Sequence, residues 1–251
     1  ITSVAEKGDN LIDLSVGKGG DLSKWLAAKL SFVFGIDISR DNIENKLDGA
    51  CARYLKYKRT HRNAPDALFV NGNSSLNIRD GAAIYTEKGK LITKSIFGEI
   101  PKDPSLGKGV LKQYGKGAEG FNICSCQFSL HYFFENSQTF EGFLRNVAEC
   151  TKLDGYFIGA CYDGKKLFEM LKENDKGDTS GNITLTCGAN KICEIIKNYT
   201  ADTFEDNASS LGYAINVYQE SINKYFQEYL VNFDYLVRSM ENYGLRPLTK
   251  D

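Results

Sequence analysis

Basic residues are not in excess: 31 Lys and Arg stand against 32 Asp and Glu in 251 residues. The chain as a whole carries no nucleic-acid signature, so any such signal has to be local. No two of the seven cysteines form a C-x-x-C pair. That removes the short, fixed ligand spacing of a zinc site, and no metal is expected. The cysteine count is odd and several cysteines, such as Cys124 and Cys126, sit in apolar runs. They read as reduced thiols packing as small hydrophobes in a cytoplasmic protein. There is no run of 18 apolar residues and no signal peptide, so no membrane partner is expected. A phosphate loop of G-x-x-x-x-G-K-[ST] form is missing as well. The chain opens on Ile1 rather than Met, and is expected to be a piece of something longer.

What is present is ordinary for a globular protein: 42 % hydrophobic and 25 % charged residues, enough for one large α/β domain or two small ones. The N-terminal half alternates strand and helix. Predicted strands are Leu11 to Leu14, Phe32 to Ile36, Ala67 to Val70, Phe121 to Cys126 and Tyr156 to Ala160. Between them, a helix is expected after a cap at Asp21, a basic one from Ile43 to about Tyr57, and one from Phe140 to Cys150. Strands separated by helical patterns mean a doubly wound, mostly parallel sheet with helices on both faces. A Gly/Lys-rich segment at 76–120, carrying Pro101 and Pro104, reads as an insertion. Residues 173–190 are polar, 213–219 read as a strand, and apolar residues from Ile222 to Met240 at helical spacing predict one long amphipathic helix stopped by Gly244.

The first strand runs into Asp13-Leu14-Ser15-Val16-Gly17-Lys18-Gly19-Gly20-Asp21. Glycines there let the backbone turn sharply and approach a ligand, and the following helix offers free N–H groups. Asp37, at the end of the second strand, can accept both hydroxyls of a ribose. A nicotinamide dinucleotide is one reading, but its G-x-G-x-x-G pattern wants glycine where Leu22 stands. An acid at Asp13 favours a ligand with an amino group, which S-adenosylmethionine has. The fourth strand leads into Gln127-Phe128-Ser129-Leu130-His131-Tyr132, at the sheet end where such folds bind ligands.

The run Cys126-Gln127-Phe128-Ser129-Leu130-His131-Tyr132-Phe133-Phe134-Glu135 resembles the C-Q-F-x-x-H-Y-x-F-E signature of mRNA cap guanine-N7 methyltransferases. The glycine turn resembles their D-L-G-C-G-K-G-G-D motif. Gly155 to Gly159 is similar to their fifth strand, and Phe226 to Val231 to their late E-F/Y-L-V segment. The Gly/Lys-rich insertion and Tyr218 to Asn223 look most like the capping enzymes of large cytoplasmic DNA viruses, such as African swine fever virus. The resemblance spans roughly residues 10–245.

The resemblance implies a Rossmann-like class I methyltransferase fold over 1–251, as the C-terminal part of a larger capping enzyme with triphosphatase and guanylyltransferase domains, at work in the host cytoplasm or the virion. It implies methyl transfer from S-adenosylmethionine, leaving S-adenosylhomocysteine, to N7 of the guanosine cap of GpppN-RNA. Asp13, Ser15, Gly17 and Lys18 would hold the methionine end of the cofactor, and Asp37 the ribose. Asn73 and Ser74 would lie by the adenine, and Gln127 on the methionine side. His131, Tyr132 and Glu228 would position the guanine. Lys18 and Arg53 would face cap phosphates, Arg53 within a basic run from Lys46 to Arg62.

Ser15 stands where the family has glycine, Asn73 where an acid is usual, and Tyr162 where a proline follows the fifth strand. The family's helix upstream of the first strand is not in this chain, and its last strand would begin near Leu245. Two other readings stay open. One is a methyltransferase acting on a small molecule, a protein or a ribose hydroxyl. The other is a catalytically weak or inactive module of the same fold that binds RNA or a partner subunit.

Overall fold

The computed structural model describes residues 1–175 and 181–248. The chain forms two compact units, one made of Ile1–Gln127 and Gly142–Gly159, the other of Phe128–Glu141 and Ala160–Asp251.

The first unit is built on β1 (Asn10–Asp13), α1 (Leu22–Ala27), β2 (Phe32–Asp37), α2 (Arg40–Glu44), α3 (Ala50–Thr60), β3 (Asp66–Asn71), α4 (Glu87–Phe97), α5 (Lys108–Leu111) and β4 (Phe121–Gln127). The chain then runs through a 3-10 turn (Leu130–Phe134) into α6 (Ser137–Cys150) and β5 (Thr151–Ala160). The sheet order is β3-β2-β1-β4-β5, and the β1–β2, β1–β4 and β2–β3 pairings are parallel. Its central strands are apolar on both sides, as a sheet covered on both faces requires. Leu11, Val33 and Ile123 pack with Trp25 of α1 and Ala50 of α3. Phe32 and Phe34, which alternate with Val33, stack on Phe121 at the start of β4, and Phe97 of α4 meets Phe121 edge-on. Helices thus lie on both faces, as expected.

Several boundaries differ from the sequence reading. The basic helix is two helices, broken where Asn45 and Gly49 intervene; a Cβ at Gly49 would stand 2.7 Å from the Asn45 backbone. Asp21 precedes α1, but its carboxylate takes Lys24 Nζ at 2.6 Å and caps no backbone N–H. The Gly/Lys-rich segment carries α4 and α5, with turns and irregular chain around them. Thr86 caps α4 by accepting from Gly89 N, and Gly98, at φ +72, ends it.

The second unit continues with α7 (Gly164–Asp175), β6 (Ile183–Cys187), β7 (Asn190–Lys197), β8 (Ala214–Gln219), β9 (Lys224–Tyr229) and α8 (Phe233–Glu241). The four strands form an antiparallel sheet in the order β6-β7-β8-β9. Ile195, Ile215 and Val217 of this sheet pack on Phe168 and Leu171 of α7. The long helix expected from Ile222 to Met240 is therefore a correction: it is a strand followed by a helix. Asn223, at φ +54, closes the β8–β9 turn, and Tyr225, Phe226 and Tyr229 are strand formers paired with β8. Asn232, fully buried, then caps α8 by accepting from Tyr235 N. Helical spacing of apolar residues from Ile222 to Met240 arose from adding Ile222 of the turn and Phe226 and Tyr229 of the strand, none of them fully buried, to the buried face of the helix. Strand β6 falls in the stretch 173–190 that the sequence reading left as polar, and β7 begins at its end. Residues 245–248, where the family's last strand would start, have no regular structure, and 249–251 lie outside the described residues. Among the described residues no helix is long and apolar enough to cross a membrane.

Candidate active site

Two places carry the chemistry, one in each unit. In the first unit the chain leaves β1 at Asp13 and turns through Gly17 (φ +54) and Gly19 (φ +70) into α1. Ser15 has no such conformation, so serine in place of the family's glycine adds no backbone strain there. Gly35 of β2 lets this turn settle on the sheet: a Cβ there would stand 2.9 Å from Val16 and 2.8 Å from Phe69.

Asp37 is buried, and its carboxylate pins the turn. Oδ2 accepts from Gly17 N at 2.8 Å, and Oδ1 accepts from Ser39 N at 2.9 Å and Asn42 Nδ2 at 3.0 Å. A carboxylate has about four acceptor positions, so roughly one is left for a ligand hydroxyl. Asp13 is buried too, but among the described residues it accepts only from Ser15 N, at 3.1 Å. Burial pushes its carboxyl up to about 7 against the pull of that bond, with the charges of Asp21 and Asp37 adding to the rise. A buried carboxyl with no cation beside it is a ready partner for an ammonium group.

Lys18 is engaged elsewhere: Nζ lies 2.7 Å from Asp48 and 3.5 Å from Asp41. Those acids, Asp48 first, raise its pKa and hold it charged. Arg53 on α3 is exposed. Asn73 folds its side chain back as an acceptor for Ser75 N and Ser75 Oγ. Ser74 is buried and donates Oγ–H to Leu14 O at 2.7 Å. Gln127, at the end of β4, donates to Ser125 Oγ and Ile158 O. Asn146 of α6 escaped the sequence reading. Fully buried, it donates to Ser74 O and Leu76 O and accepts from Ile78 N, so it fixes the loop that carries Asn73 and Ser74. An asparagine inside an otherwise apolar helical stripe was the available signal.

In the second unit a cavity of about 470 Å³ is lined by His131, Tyr132, Tyr162, Gln219, Phe226 and Glu228, among others. His131 and Tyr132 come from the 3-10 turn and Glu228 from β9. His131 Nε2 lies 3.6 Å from Glu228 Oε2. Among the described residues neither ring nitrogen of His131 nor Glu228 Oε2 has a hydrogen-bond partner, although both side chains are buried. Burial lowers the imidazole to about 4 and raises the Glu228 carboxyl to about 7. Both groups are driven toward their neutral forms, so at 3.6 Å this is not an ion pair. Leaving buried polar atoms unpaired costs about 1–3 kcal/mol each, and a ligand that pairs them recovers that. Tyr132 is 43 % exposed, with its ring centroid 4.3 Å from that of His131. It offers a flat face to a base. Phe128, 72 % exposed, is held at φ +54 beside the same cavity by its N–H to Ala160 O. For a bulky side chain that backbone region is strained and persists only where the surrounding structure holds it.

A family model described as "mRNA (guanine-N(7))-methyltransferase domain" matches residues 2–87 and 102–251. The chain belongs to this family. A "Probable mRNA-capping enzyme" of Acanthamoeba polyphaga mimivirus is 29 % identical over 255 residues, covering 100 % of this chain and 20 % of the relative. The mRNA cap guanine-N(7) methyltransferase of Saccharomyces cerevisiae is 30 % identical over 249 residues, covering 98 % of this chain and 48 % of the relative. The chain thus spans less than half the length of either. Among solved structures, the CcbJ methyltransferase of Streptomyces caelestis superposes with a TM-score of 0.54 at 13 % identity, covering 99 % of this chain and 81 % of that one. This establishes the class I methyltransferase fold. The stretch that the family model skips, 88–101, lies within α4 and the turn after it.

S-adenosylmethionine is the family's cofactor, and the first unit fits it. Gly17 and Gly20 leave open space beside the turn, Asp13 is a buried acid without a cation, and Asp37 keeps an acceptor position.

Proposed function

We propose that this chain transfers a methyl group from S-adenosylmethionine to N7 of the guanosine cap of RNA. The observation that carries the reading is the His131–Glu228 pocket. It is a buried set of unpaired acceptors and ring nitrogens beside exposed aromatic rings, in a chain of the cap guanine-N7 family.

The cofactor supplies a methyl group on a sulfonium, already a good leaving group. Guanine N7 has a lone pair and no proton to lose, so the acceptor needs no general base. The protein's task is alignment, worth up to ~7–11 kcal/mol when the reacting atoms are held about 3–3.5 Å apart in line. Asp13 would hold the ammonium of the methionine end and Asp37 a ribose hydroxyl. Glu228 would accept from guanine N1–H and the N2 amino group, which favours its ionised form and draws its pKa back down. His131, neutral, would complete the pocket wall, and Tyr132 would stack on the base. Exposed Arg53 would attract cap phosphates. Lys18, tied to Asp48, would reach them only by leaving that partner.

Capped RNA, triphosphatase and guanylyltransferase domains of the same polypeptide, and a place of work in the cytoplasm belong to the same proposal. Seven unbonded thiols suit a reducing compartment. The test is incubation with radiolabelled S-adenosylmethionine and GpppG-capped RNA, followed by digestion to nucleosides. Label in 7-methylguanosine is expected. Label in a ribose-methylated nucleoside, or none, overturns the proposal.

A further inference from the structure

Tyr162 stands where the family has proline, and no role has yet been given to it. It follows β5, and its hydroxyl accepts from Gln219 Nε2, at the end of β8, at 2.9 Å. Both residues line the same cavity as His131 and Glu228. The bond uses one lone pair of the phenol and one end of the amide. It leaves the phenolic proton and Gln219 Oε1 without a partner among the described residues. One donor and one acceptor are therefore fixed side by side in the pocket where His131 Nδ1 and Nε2 and Glu228 Oε2 have no partner among the described residues. Burial first, and the nearby Glu228 carboxylate second, hold the phenol above its ordinary range. At neutral pH it stays a donor.

Guanine has such a pair of complementary groups on its sugar edge. N3 is an acceptor, and the N2 amino group has a second N–H that Glu228 does not use. We infer that Tyr162 and Gln219 form a second anchor in the base pocket, which reads the N3/N2 edge of guanine and so selects guanosine caps over caps without the amino group. The inference rests on the cap reading above.

The probes are GpppA and its inosine counterpart IpppA, which holds no guanosine at either end, with binding measured by calorimetry in saturating S-adenosylhomocysteine and methylation measured in parallel. Wild type is expected to bind GpppA more tightly. Gln219→Leu removes the acceptor, and should weaken GpppA about 5- to 10-fold and IpppA less than about twofold, the scale of one hydrogen bond. Tyr162→Phe removes the donor and the tether, and should weaken both, GpppA more. A wild-type circular dichroism spectrum and a single wild-type-like thermal transition certify that each variant is folded in both units, and retained binding of S-adenosylhomocysteine that the first unit is intact. Equal affinity of wild type for the two caps, or equal losses on both in Gln219→Leu, overturns the inference. Guanosine selectivity that needs Gln219 but comes with no methylation of N7 supports the anchor while overturning the reading of activity.

Discussion

Asp37 and Glu228 are held in opposite ways. Asp37 is surrounded by three internal donors, Gly17 N, Ser39 N and Asn42 Nδ2. Glu228 is just as buried, and its Oε2 has no partner. The first acid organises its own loop before any ligand arrives. The second lies in its pocket at a cost in stability, and in the proposed function a substrate would be the partner of its carboxylate. A cofactor site built the first way holds its shape through every turnover. A substrate site built the second way gains its discrimination from the penalty of staying empty or being filled wrongly.

Removal of Asp37 is the hardest blow to this contrast. Asp37→Ala leaves three donors unsatisfied and takes away the ribose acceptor. Folding stability should fall by about 2–4 kcal/mol, and binding of S-adenosylhomocysteine should vanish. Urea melts and calorimetry check both. A variant that melts like wild type would erase the difference between the two acids.

Glu228→Gln should do the reverse. Cap methylation should drop by about 1.5–3 kcal/mol in transition-state terms, with cofactor affinity unchanged and the unliganded protein more stable at pH 8. The sign follows from the raised carboxyl. A folded pKa of about 7 against an ordinary 4.5 contributes stability that is fully present below 4.5 and lost as pH rises through 7. Asp13, raised to about 7 from 3.8, tilts stability in the same direction, so the variant should lose only part of the slope. His131, lowered to about 4 from 6.5, works oppositely: its contribution is present above 6.5 and lost as pH falls through 4. Thermal melts from pH 4 to 9 read all three. A Glu228→Gln protein less stable than wild type at pH 8 would mean that the carboxylate is satisfied after all.

Tyr132→Ala sharpens the comparison from the substrate side. Loss of a stacking face should weaken cap binding by ~1–3 kcal/mol and leave cofactor affinity alone, as fluorescence titration with GpppG would show. Arg53→Ala should have the smallest effect: a flatter salt dependence of RNA binding, by about one phosphate contact. An unchanged slope would reduce the basic run on α3 to a solvated face.

Much of the first unit was legible because parallel strands buried on both faces write continuous apolar runs. Each predicted strand there falls on an observed one, the first overrunning it by one residue at Leu14, and Asp13, Gly17 and Asp37 gather at one glycine turn. The second unit was harder. Its strands are half exposed, as with Lys224 to Gln227, and β9 abuts a helix with no proline between them, so two periods merged into one. His131 was legible from its run, but its 3.6 Å approach to Glu228 depends on the β8–β9 pairing, which needed Asn223 to be recognised as a turn. The partners of Lys18 were missed because Asp48 lies in the break between helices that the sequence reading joined.

The way the chain passes between its units bears on synthesis. Phe128–Glu141 belongs to the second unit yet is enclosed in sequence by segments of the first. A ribosome therefore delivers His131 and Tyr132 before any strand of the sheet that will carry Glu228. The cofactor sheet needs only residues up to Gly159, so it can assemble while the base pocket is still half made. A nascent or truncated chain lacking β9 would be able to hold cofactor while having no floor for guanine, and limited proteolysis that removes the later strands would uncouple the two binding events in the same way.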